Sequence, residues 1–107
     1  MNMNEVKMRV DAGVCRFVTD ITGTSEDGMT ICLRIESNCP SVKKLADDLK
    51  TIGLFDAIAT PITENPLFVK CAEHLPHAAC VIPPALVKVC EVAGDLGLKK
   101  DVAFKFI

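Results

Sequence analysis

Eight side chains in this sequence could bind a soft metal or act as nucleophiles: Cys15, Cys32, Cys39, Cys71, Cys80, Cys90, His74 and His77. Four of them stand in one string, Cys71-x2-His74-x2-His77-x2-Cys80. Pro76 breaks any helix between the two histidines, so these four need not share a face. Thiolate and imidazole are the ligands of tetrahedral zinc, and thiolate holds iron–sulfur clusters. A thiolate can also attack a disulfide. The chain has no Cys-x-x-Cys pair, so a metal site must be assembled from distant segments, and the usual dithiol redox motif is missing. Hydrolase chemistry has little support, because no nucleophile elbow or paired-carboxylate motif occurs.

Which thiols can meet depends on the elements that carry them. Residues 6–10 alternate, with Val6, Met8 and Val10 on one side and Lys7 and Arg9 on the other, which is the pattern of a half-buried strand. Asp11-Ala12-Gly13 breaks it; Asp11 could orient a ligand but more simply forms the turn. A second strand is expected over residues 15–22, with Cys15, Phe17 and Ile21 inward. Residues 23–28 read as a turn around Asp27-Gly28. A third strand follows over residues 29–36, with Met29, Ile31, Leu33 and Ile35 inward and Cys32 on the polar face. The second and third strands read as an antiparallel hairpin.

Helical spacing begins at Pro40, where Val42, Leu45, Ala46 and Leu49 recur at three and four residues and Gly53 offers a stop. Residues 54–60 suit a short second helix. A third opens on Asn65 as cap with Pro66 in its first turn and ends before Pro76. A fourth starts at the prolines 83–84 and closes near Gly94 or Gly97. The tail, residues 101–107, alternates again through Val102, Phe104 and Phe106 and reads as a final strand. The expected fold is α+β: a mostly antiparallel sheet of three N-terminal strands plus a C-terminal strand, in a single domain over residues 1–107, with helices on one face.

The cysteines then separate by position. Cys71 and Cys90 lie within the apolar faces of the third and fourth helices and are expected in the core. Cys32 is a bystander or part of an interface. Cys15, Cys39 and Cys80 stand at the ends of elements, where a backbone can present a side chain to a ligand. Cys39 is the least ordinary. It precedes Pro40 at the helix start, a position that usually takes Ser, Thr, Asp or Asn. The positive end of the helix favours a thiolate there, the form that binds metal or attacks a disulfide.

Composition narrows the remaining classes. Half of the 107 residues are hydrophobic, which supplies a core without disulfide staples. A net charge of −2, with no basic cluster and no Trp or Tyr, argues against nucleic acid as a partner. No apolar run reaches the ~20 residues of a membrane span. The N-terminus has no signal-peptide stretch, so a cytoplasmic protein with reduced thiols is expected. A homo-oligomer remains an open partner class, and whether the chain is an enzyme stays open.

Three blocks, "VDAGVC" (residues 10–15), "SNCP" (37–40) and "HAACVIP" (77–83), resemble the signature of a family of small uncharacterised prokaryotic proteins that carry a domain of unknown function. The family pattern has a glycine after its first motif cysteine and a proline after its third; this chain has Arg16 and Val81. The resemblance implies Cys15, Cys39, His77 and Cys80 as a ligand set, the group already favoured by position, and supplies no reaction. Two classes follow. One is a metal site, zinc in a Cys3His shell or an iron–sulfur cluster. The other is metal-free thiol chemistry at Cys39, with Cys15 or Cys80 resolving. A plainer option is a small oligomeric structural protein whose cysteines only pack.

Overall fold

The computed structural model describes residues 4–107. Strands β1 (Asn4–Asp11), β2 (Val18–Ser25) and β3 (Thr30–Ser37) form an antiparallel meander. Their periodicity explains it: Val6, Val10, Ile21, Ile31, Leu33 and Ile35 are buried on one face, while Lys7, Arg9, Cys32 and Arg34 stand on the other. Asp27 forms the hairpin turn by accepting the N–H bonds of Met29 and Thr30, each at 2.9 Å. Those two bonds hold its carboxyl below the usual carboxylate range.

The α+β class holds, but the fourth strand is not the expected one. Residues 101–107 form no strand; Phe104 and Phe106 are 82% and 108% exposed. The fourth strand is β4, Thr51–Gly53, which pairs antiparallel with β3 in the order β1-β2-β3-β4. Helix α1 (Pro40–Asp48) stops short of Gly53, and the chain straightens so that Lys50 accepts the Leu33 N–H at 2.7 Å. Two other boundaries moved. Cys15 does not open β2, and Phe17 is only half-buried ahead of it. Gly23 lies inside β2, because a Cβ there would sit 2.6 Å from Val89 of the overlying helix.

The helices cover one face. Helix α4 (Ile82–Ala93) packs on β1 and β2, and α1 packs on β3. The short α2 (Leu54–Ile58) and α3 (Pro66–His74) complete the layer. Asn65 fixes the start of α3: its Oδ1 accepts the Leu67 N–H at 2.9 Å and its Nδ2 donates to Ala57 O at 2.7 Å. The core includes Ile21, Ile31, Leu45, Leu67, Leu86 and Val89. No described helix is long and apolar enough to cross a membrane.

Candidate functional site

The strand register fixes which side chains can gather. Asp11 pairs with Val18, Val10 with Thr19, and Thr19 with Ser37. The turn after β1 and the exit of β3 therefore lie at the same end of the sheet, and they carry Cys15 and Cys39. The direction of α4 decides the place of Cys80. Asn4, at the far end of β1, donates from Nδ2 to Val92 O (3.1 Å) and Ala93 O (2.8 Å). This anchors the C-terminus of α4 at the hairpin end. The twelve residues of α4 rise about 18 Å, against roughly 25 Å for β1. Its N-terminus, just after Cys80, thus points back toward the end that carries Cys15 and Cys39.

Each donor is held differently. Cys15 closes a single 3-10 turn, Gly13–Cys15, with no buried residue. Only local bonds shape it: Asp11 Oδ1 accepts the Gly13 N–H at 3.0 Å, and Gly13 O accepts the Arg16 N–H at 2.9 Å. Asp11 is thus a turn former. Gly13 and Arg16 have φ of 76° and 62°; glycine suits the first, while Arg16 takes a left-handed conformation that its Cβ disfavours.

Cys39 occupies the cap of α1 as expected, with Pro40 opening the helix, but its side chain makes no capping hydrogen bond. Ser37 braces the approach instead. Its Oγ accepts the Cys39 N–H at 3.1 Å and the Thr19 hydroxyl at 2.8 Å. Cys39 and Cys80 are half-buried against the core, whereas Cys15 and His77 are exposed. His77 and Cys80 line a hollow of about 470 Å³ between α3 and the start of α4, together with Phe68, Cys71, Leu75 and Pro83. Cys15 and Cys39 are not part of that hollow.

The remaining thiols are placed as their periodicity required. Cys71 and Cys90 are buried, and burial pushes both thiols up to about 12, so they stay neutral. Cys32 is exposed on the open face of β3.

Among the described residues, one set of three metal-ligand types has its donor atoms within 4.8 Å of one another: Asp48, Glu73 and His74. It joins the ends of α1 and α3 and was not expected. His74 Nε2 lies 2.9 Å from Asp48 Oδ2, and Lys70 Nζ lies 3.4 Å from Asp48 and 3.6 Å from Glu73. His74 and Lys70 hold the Asp48 carboxyl below the usual range. With Lys70 supplying the positive charge, the cluster works as a surface ion-pair network. Lys70, Glu73 and His74 share a helix at visible spacing, but their partner lies 26 residues upstream, where no sequence pattern points to it.

The comparison with protein families bears on the whole fold. The profile of a family of unknown function, DUF6951, matches residues 6–106. The chain belongs to that family. The matched span contains all three cysteine blocks and most of the exposed tail. No curated protein and no solved structure matches.

Proposed function

We propose that this chain is a metal-binding domain that holds a zinc ion or an iron–sulfur cluster through Cys15, Cys39 and Cys80, with His77 as the fourth ligand. The observation that supports the reading is the register, which sets the turn after β1 (Cys15) and the exit of β3 (Cys39) at one end of the sheet; α4 runs from its anchor at Asn4 back toward that end, and Cys71 and Cys90 are sealed in the core. Three thiolates and one imidazole suit tetrahedral zinc. The four do not belong to any set with donor atoms within 4.8 Å, so binding must draw the segments together. The Gly13–Cys15 turn can move at low cost, since it buries nothing. Ser37 holds the backbone at Cys39, so that thiol serves as the fixed point.

Elemental analysis and an absorption spectrum of protein purified without oxygen test this. The expected result is one equivalent of zinc in a colourless protein, or iron and sulfide with charge-transfer bands. Stoichiometric metal that survives Cys39→Ser would contradict the site. Metal-free protein whose Cys39 reacts fastest with a disulfide reagent would favour the thiol-exchange reading instead.

A further inference from the structure

The tail has the pattern of a strand and no surface beneath it. Val102, Phe104 and Phe106 are 61%, 82% and 108% exposed, and Leu98 and Ile107 are exposed beside them. Single exposed apolar residues need no explanation, but a run of this size marks an interaction surface. The family match extends to residue 106, so the tail is part of the domain rather than an appendage. Strand β1 is an edge strand of eight residues. An open edge of that length is a template for pairing.

We propose that residues 101–106 of one copy add as an antiparallel strand to the β1 edge of a second copy, so that the chain forms a dimer with exchanged tails. Alternation and charge select the register. Phe104 opposite Val6 and Val102 opposite Met8 put the tail's apolar side on the face that α4 covers. The same alignment sets Lys105 opposite Glu5 and Asp101 opposite Arg9, two opposite-charge pairs on the open face. Arg9 already holds Asp20 there at 2.8 Å. The path also fits. Helix α4 releases the tail at the Asn4 end of its own β1. Where two β1 edges face each other about a two-fold axis, that end lies beside the Asp11 end of the second copy, where this register begins. Addition to the chain's own β1 would have to run parallel.

Sedimentation equilibrium in reductant tests the proposal on the full chain and on a chain truncated after Leu98, a cut that removes no buried core residue. The full chain should dimerise at high micromolar concentration, and the truncated chain should stay monomeric with an unchanged circular dichroism spectrum. Glu5→Lys and Lys105→Glu should each weaken the dimer several-fold, and the double variant should restore it. A full chain that is monomeric throughout would overturn the proposal. So would a dimer that survives truncation, or a monomer whose tail amides are protected from hydrogen exchange.

Discussion

At the hairpin end of the sheet, Asn4 grips the last turn of α4, Gly23 lets Val89 down onto the strands, and Leu54 fills the space beside Gly94. At the opposite end, the turn that carries Cys15 buries nothing and Cys39 stands at an uncapped helix start, while His77 and Cys80 line a separate hollow between α3 and the start of α4. The first end is defined by close contacts between named side chains; the second carries one exposed thiol, Cys15, and one half-buried against the core, Cys39. The contrast teaches how a small domain can carry a site. The Cys15 turn buries nothing, so a change there leaves the packed helix layer untouched.

The largest expected effect breaks the packed end. Leu86→Ala removes a fully buried side chain of α4 and should cost about 3 kcal/mol. Gly23→Ala forces a Cβ against Val89 and should cost about 2 kcal/mol through overpacking. Urea unfolding measures both, and neither should alter metal stoichiometry in protein that remains folded. A Leu86→Ala variant as stable as the parent would mean that α4 does not organise the sheet.

Smaller effects sharpen the boundary between the two ends. Cys71→Ala and Cys90→Ala should each cost about 1 kcal/mol, as small cavities do, and leave metal content intact. Loss of metal in the Cys71 variant would show that the hollow beside Cys80 recruits the buried thiol. Arg16→Gly relieves a left-handed residue and should stabilise by about 0.5–1 kcal/mol in unfolding experiments. A loss there would mean that the arginine side chain supports the turn.

The smallest effect concerns acid. The Asp48 carboxyl is held below its usual range by His74 and Lys70. Its contribution is therefore present above the unfolded carboxylate pKa and is lost as pH falls through the lowered folded value. Asp48→Asn should lower stability slightly near neutrality, where the carboxylate's contribution is present, and flatten the acid slope so that the two profiles converge below about pH 4. A profile that keeps its acid slope would place the titrating group elsewhere.

The sequence was most legible where one periodicity ran without competition. Val6 to Val10 and Thr30 to Ile35 alternate cleanly and are strands; Asn65-Pro66 opens a helix as written. It misled where short range could not see long range. Gly23 looks like a turn residue until Val89 is placed above it. Thr51–Gly53 is too short to announce a strand and exists because β3 offers an edge. The tail has strand periodicity but pairs with no described strand of its own chain. For the candidate site, placement at element ends picked out Cys15, Cys39 and Cys80; the register sets the segments of the first two at one end of the sheet, while Cys80 lines a hollow that contains neither. The His74–Asp48 contact left no trace, because its partners are joined only by the packing of α1 on α3.

The central claim is that the thiols at the open end, and not those in the core, bind metal together. Cobalt(II) titration of the reduced protein tests it most directly, because thiolate-to-metal charge-transfer absorption reports each bound sulfur. The account predicts saturation at one equivalent, with the absorption reduced by one thiolate's share in Cys15→Ser, Cys39→Ser and Cys80→Ser and unchanged in Cys90→Ala. No charge-transfer band in the parent protein, or a band that Cys39→Ser leaves intact, would contradict it.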